Sequence, residues 1–136
     1  MEKTYNLFLS HSWAHSNDYE GLLDALKRDM TFKFRDFSVP KNDPVHTNGT
    51  DKQLYDAIEN KIRPTSAVLI LAGVYSTYSK WINKEIEIAQ SYQKPIIGIK
   101  PWGNERISTT VSNAADEMVF WHTDSIINAI RSHCNE

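Results

Sequence analysis

Thr65-Ser66-Ala67-Val68-Leu69-Ile70-Leu71-Ala72-Gly73 decides the fold class of this chain. Successive strand residues point to opposite faces, so an unbroken apolar run needs cover on both. That is the pattern of a strand in the middle of a parallel sheet with helices above and below it. The run from Ala67 to Gly73 is strand-sized and far short of the ~20 apolar residues of a membrane span.

The segment after it, Trp81-Ile82-Asn83-Lys84-Glu85-Ile86-Glu87-Ile88-Ala89, has helical spacing. Trp81, Glu85 and Ile88 share one face, and Ile82, Ile86 and Ala89 form a second apolar stripe beside it. Glu85 therefore lies between two apolar stripes, while Glu87 points elsewhere. A carboxylate in such a place is paired, shifted in pKa or open to a cleft. Lys80 and Lys84 are the local cations that would neutralise it on a bland reading.

The same alternation of short apolar runs and helical patterns extends outward in both directions. Upstream, Tyr5 to Leu9 reads as a strand, and Tyr19, Leu22, Leu23, Leu26 and Met30 as a helix. Phe32 to Phe34 reads as a second strand. Asp36 to Gly49 holds two prolines, two asparagines and a glycine and reads as a long loop. Thr50-Asp51-Lys52-Gln53 is a capping box leading into Leu54, Ile58 and Ile62. The helix carrying Glu85 runs from Tyr78 to Tyr92. Downstream, Pro95 to Ile99 is a buried strand, Ile107 to Ala115 an irregular helix and Met118 to Phe120 a short edge strand. Thr123-Asp124-Ser125 caps a final helix that turns Ile127, Ile130 and Cys134 inward. The expected architecture is α/β: a flavodoxin-like three-layer sandwich with a five-stranded parallel sheet, one domain over residues 1–136.

The totals narrow the function. The 136 residues carry a net charge of −2, which argues against nucleic-acid binding and against an acidic membrane surface. Met1 to Tyr5 leads directly into a strand pattern without a signal-peptide core, and Cys134 is the single cysteine. A cytoplasmic protein is expected, with no disulfide. No His, Asp and Glu cluster has ligand spacing, so no metal site is expected. Neither a G-x-G-x-x-G nor a P-loop pattern occurs, which argues against a Rossmann dehydrogenase and a nucleoside triphosphatase. A response-regulator reading needs acidic residues after the first strand, and that strand exits to Ser10-His11-Ser12.

In doubly wound sheets, ligands bind beyond the carboxyl ends of the strands. There Ser10-His11-Ser12-Trp13, Asp36-Phe37-Ser38 and Val74-Tyr75-Ser76 lead off the strands, the last toward Trp81 and Glu85. His11 is either a base or, by residue type, more often a strand-end cap. Trp13 and Trp81 divide evenly between core aromatic and ligand stacker. His15 and His46 read as surface residues, and Lys100 to Arg106 as either a site-edge loop or an assembly contact.

With those residues assembled, the chain resembles a TIR domain, most closely the bacterial Thoeris-type antiphage TIR proteins. Tyr5-Asn6-Leu7-Phe8-Leu9-Ser10-His11-Ser12 resembles the family's opening strand and its exit. Phe34-Arg35-Asp36-Phe37-Ser38-Val39-Pro40 resembles the second strand entering the BB loop. Ser76-Thr77-Tyr78-Ser79-Lys80-Trp81-Ile82-Asn83-Lys84-Glu85-Ile86 resembles the W-x-x-x-E helix motif. Two features depart from the pattern: the loop after Asp36 lacks the compact proline-glycine arrangement of receptor-type members, and Ile82 stands where cysteine is frequent.

The resemblance implies an NAD-consuming enzyme, of NAD glycohydrolase or ADP-ribosyl cyclase type, with NAD as substrate and no cofactor. Glu85 is the implied catalytic residue. Phe8, Ser10 and Trp81, with Trp13 by position, would wall the nicotinamide side. His11 stands at the same strand exit, and Asp36, Phe37 and Ser38 would flank the adenosine half or a neighbouring subunit. Implied partners are further copies of the chain and a separate effector protein reached through a cyclic or modified ADP-ribose product. The alternative implication is a non-catalytic TIR scaffold that signals through homotypic assembly.

Overall fold

A computed structural model describes residues 4–10, 18–37, 50–73, 80–100 and 107–134. Five strands form one parallel sheet: β1 (Thr4–Leu9), β2 (Lys33–Asp36), β3 (Ala67–Leu71), β4 (Ile96–Ile99) and β5 (Glu117–Val119). They alternate with α1 (Asp18–Lys27), α2 (Asp51–Ile62), α3 (Lys80–Ser91), α4 (Thr109–Ala114) and α5 (Thr123–His133). The sheet order is β2-β1-β3-β4-β5. This is the flavodoxin-like winding, whose order reverses between β1 and β3.

Side-chain alternation sorts the core into two layers. Leu7, Leu9, Leu69, Leu71, Ile97 and Ile99 face α1 and α5, where they meet Leu22, Leu26, Ile127 and Ile130. Phe8, Val68, Ile70 and Ile96 face α2, α3 and α4, where they meet Leu54, Ile58, Ile82, Ile88 and Val111. All five residues of β3 are buried, as the doubly apolar run requires. Burying each such aliphatic side chain contributes roughly 1.5–3 kcal/mol before the entropy of ordering it. Gly98 leaves room on β4 for the end of the Met118 side chain on β5, which a Cβ there would displace.

Local sequence signals act where expected at Thr50. Its side chain accepts from the Gln53 amide, and the Gln53 side chain accepts from the Thr50 amide, closing the capping box. Several boundaries differ from the sequence reading: α1 ends at Lys27, leaving Met30 exposed, and β5 is Glu117–Val119 rather than Met118 to Phe120. β2 begins at Lys33 and runs on to Asp36, beyond Phe34, because its backbone follows β1 through the register Leu7↔Asp36. The final helix is not capped by Thr123, Asp124 or Ser125: His122 occupies the cap position in extended geometry without a side-chain cap bond. The α4 segment is a regular helix over six residues, capped by Ser108, whose hydroxyl accepts from the Val111 amide.

All strands point the same way, so the molecule has two poles. The carboxyl pole collects the strand exits and the starts of the helices. The amino pole collects the helix ends and the strand entries.

Candidate active site at the carboxyl pole

The β1/β3 crevice is framed by backbone bonds that carry the ladder past the strand ends. The Ser10 amide donates to the Leu69 carbonyl at 2.9 Å, and the Phe37 amide donates to the Leu7 carbonyl at 2.9 Å. The Ala72 amide donates to Ile99, and the Ser108 amide donates back to the Ala72 carbonyl at 3.0 Å. Ser108 thereby draws the start of α4 onto the exit of β3.

Because the ladder continues, so does the alternation of side chains. Ser10 follows Phe8 on the α2–α4 face, and Phe37 lies on that face too. Asp36 lies on the opposite one, and it helps line a depression with Leu23, Lys27 and Phe34. Of the residues expected to bind substrate, Phe8, Ser10, Phe37 and Trp81 thus share a face with Glu85, and Asp36 does not. His11, Trp13 and Ser38 lie outside the described residues, as do His15, His46, and the segments 38–49, 74–79 and 101–106.

α3 begins at the rim and runs away from it. Trp81 is its second residue and Glu85 its sixth, so Glu85 lies one turn below Trp81, about 6 Å along the axis. That depth is beyond the first turn, where a helix dipole acts most strongly on a charge. Only 1% of Glu85 and 7% of Trp81 is exposed, while Ile82 and Ile88 are fully covered. Lys84, one of the two cations offered by the sequence, sets its ammonium 6.0 Å above the Tyr55 ring on α2. Burial raises the Tyr55 hydroxyl above its ordinary pKa, with the Glu87 carboxylate adding to the effect. Glu87 is exposed and belongs to that outer α2–α3 surface.

Four buried polar side chains occur among the described residues: Ser10, Thr65, Glu85 and Ser108. Three of them, Ser10, Glu85 and Ser108, belong to the carboxyl pole. Thr65 belongs to the amino pole, where its hydroxyl donates to the Ile62 carbonyl at 2.6 Å. Buried polar groups cost free energy unless held by partners; Ser108 is held as the cap of α4, and Glu85 is the one ionisable group among the four. Ser108 was not singled out from sequence. The available signal was a serine three residues before Val111, the spacing of an N-cap bond.

The description "Thoeris protein ThsB, TIR-like domain" matches residues 8–106, well over half of the chain. The chain belongs to the Thoeris ThsB TIR-like family. The matched region contains Phe8, Ser10, Trp81 and Glu85, and the family places the protein among the antiphage-defence TIR proteins. No protein of curated function matches the sequence.

Solved structures share the fold at low identity. A conserved protein from Enterococcus faecalis V583 superposes with a TM-score of 0.66 at 9% identity, over 96% of this chain and 99% of that one. The CMP N-glycosidase BcmB of Clostridium botulinum gives 0.54 at 12% identity, over 93% and 98%. A prokaryotic SEFIR domain gives 0.52 at 15% identity, over 95% and 98%. At such identities the likeness is one of fold. Among the described residues, no group of three or more His, Cys, Asp or Glu side chains is placed to hold a metal ion, and no helix is long and apolar enough to cross a membrane.

Proposed function

We propose that this ThsB-type TIR protein cleaves the nicotinamide–ribose bond of NAD, with Glu85 as the catalytic carboxylate, and releases a cyclic or otherwise modified ADP-ribose that signals to a separate effector. The observation that carries the reading is Glu85 itself, a carboxylate 1% exposed in an apolar layer at the ligand-binding pole of a doubly wound sheet. Family membership supports it, since the matched region contains the Trp81 and Glu85 helix. The same fold in a CMP N-glycosidase supports the narrower point that this architecture can accommodate cleavage of a bond between a base and a ribose.

The chemistry asks little of the protein. Nicotinamide in NAD is cationic, so the electron pair of the breaking C–N bond neutralises it and no general acid is needed. The ribose carbon left behind carries oxocarbenium character, as in glycoside hydrolysis. A carboxylate fixed beside it in a poorly hydrated cleft stabilises that charge without reorganising at the moment of reaction. Water attacking the carbon gives ADP-ribose and a proton. A nucleophile within the same molecule gives a cyclic product instead. Phe8 and Trp81 supply apolar walls suited to a flat heterocycle, and Ser10 a hydroxyl at the rim. His11, Trp13, Phe37 and Ser38 complete the proposed surround, Asp36 being left out because its register with Leu7 turns it to the opposite face, and self-association is proposed to bring further copies to the site.

The test is nicotinamide release from NAD by purified protein, alone and in phage-infected lysate, with products followed by mass spectrometry. Release that survives Glu85→Gln unchanged removes Glu85 from the mechanism. No release under any condition, with antiphage function intact, leaves the non-catalytic scaffold.

A further inference from the structure

A dinucleotide held at the β1/β3 crevice must lay its pyrophosphate and adenosine along the rim in one direction or the other. Toward β2 the rim offers Asp36, an anion on the far face of the sheet. Toward β4 and β5 it offers Lys100 and Phe120. The Lys100 amide donates to the Val119 carbonyl at 2.8 Å, so the ladder reaches the rim there too. Gly98 and Met118 face α4, since a Cβ on Gly98 would meet Met118 and Val111. Continued two residues on, the alternation carries Lys100 and Phe120 to the side of Phe8, Ser10 and Glu85, with Phe120 at the open edge of the sheet, where it also borders a depression beside Asn128 and Ala129 of α5.

Phe120 is 70% exposed, and the Lys100 ammonium stands 4.3 Å from its ring centroid. Ile107 is 43% exposed and immediately precedes Ser108, which is tied to the exit of β3. An open aromatic ring and a cation thus lie together on the rim, and the apolar Ile107 stands at the approach to α4. The other cations described on this face are engaged or lower down. Lys52 pairs with Asp56 at 2.9 Å, Arg63 with Glu59 at 3.5 Å, and Lys84 lies over Tyr55. Arg35 sits in register with Asn6, below the rim.

We propose that Lys100 and Phe120 form the distal subsite for the ADP half of the dinucleotide, Lys100 holding the pyrophosphate and Phe120 stacking the adenine. The assignment rests on the NAD reading for its choice of ligand. Charge complementarity selects the occupant: an apolar platform alone would suit many partners, whereas a cation beside it favours an aromatic base joined to phosphate. The cation–π contact holds Lys100 on the rim, and an arriving phosphate replaces the ring as its partner.

The direct test is titration of ADP into the protein, followed by NMR chemical shifts or calorimetry, with no turnover required. Wild-type protein binds ADP. Lys100→Ala weakens binding at least tenfold and flattens its salt dependence, and Phe120→Ala weakens adenosine and ADP alike. Lys94→Ala, a cation at the amino pole, changes neither. ADP affinity unaltered by Lys100→Ala overturns the subsite, as does absence of ADP binding to the wild type. A change confined to sedimentation behaviour would reassign the patch to contact between copies and likewise overturn it. Glu85→Gln separates this proposal from the catalytic one, because it should bind ADP normally. ADP binding that depends on Lys100 in a protein that never cleaves NAD would retire the catalytic reading and keep the subsite. NAD cleavage that depends on Glu85 with KM indifferent to Lys100→Ala would do the reverse.

Discussion

The two poles of the sheet differ in how they use polar groups. At the amino pole, polar atoms serve the turns that join the elements. The Asp116 carboxylate accepts from the Ile96 amide at 2.7 Å, Thr65 closes the turn after α2, and the Tyr92 hydroxyl donates to Glu59 at 3.0 Å. His133 meets Glu117 at 2.9 Å across the end of α5. At the carboxyl pole, Glu85 is buried while Lys100 and Phe120 face outward. A fold selected only for stability would bury Phe120 and expose Glu85. The contrast sets an amino pole whose polar groups hold the elements together against a carboxyl pole where a buried carboxylate and an exposed ring stand at odds with stability, as the proposed function requires.

The largest test of that contrast is Glu85→Gln. The amide keeps the shape and removes the charge, so nicotinamide release should fall by about 100- to 1,000-fold, roughly 3–4 kcal/mol of transition-state stabilisation. The melting temperature, read on the same protein, separates loss of activity from loss of fold. Glu87→Gln, two residues along on the outer surface, should leave both quantities unchanged. A Glu85→Gln protein that unfolds while its residual folded fraction remains fully active would invert the assignment of roles.

At the amino pole the effects should reverse. Asp116→Ala leaves the buried Ile96 backbone without the carboxylate that accepts its N–H, at a cost of about 1–2 kcal/mol in denaturant unfolding. Activity per folded molecule should hold. Loss of kcat/KM in protein shown to be folded would mean that the poles are coupled through β4. Thr50→Ala probes a finer point, since α2 starts at the carboxyl pole yet carries a structural cap. Removing the capping box should cost about 1 kcal/mol, which would show that stability devices are interleaved with the site rather than excluded from it.

What the sequence revealed follows from where the physics is local. The doubly apolar run of β3, the helical stripes around Glu85 and the box at Thr50 are each set by residues within a turn or two, and each stands in the structure as its spacing indicates. The far end of β2 was illegible because Lys33, Arg35 and Asp36 are exposed on an edge strand, where pairing with β1 rather than burial fixes the backbone. The opposite facings of Asp36 and Phe37 follow from that same register. For the site, Glu85 announced itself as a carboxylate among apolar residues. Lys100 and Phe120 did not, because their meeting depends on β4 and β5 lying side by side, and they are 20 positions apart in the chain.

The smallest effect is also the least visible in sequence. α3 ends at the amino pole in a Schellman turn, with the Lys94 amide bonded to the Ala89 carbonyl at 2.8 Å and the Gln93 amide to Gln90 at 3.1 Å. Gln93 occupies the left-handed position with φ of 55°, the only positive φ at a non-glycine residue among those described. Glycine is the usual residue there because a Cβ crowds the backbone in that conformation. Gln93→Gly should therefore stabilise the protein by about 0.5–1 kcal/mol, the relief of strain being partly offset by the greater freedom of glycine in the unfolded chain. Thermal unfolding measures the gain, and an NAD turnover assay at constant temperature should show no change. If that stabilisation slowed turnover instead, motion at the end of α3 would be linked to Glu85 two turns earlier in the same helix, and the separation of the poles would fail along that helix first.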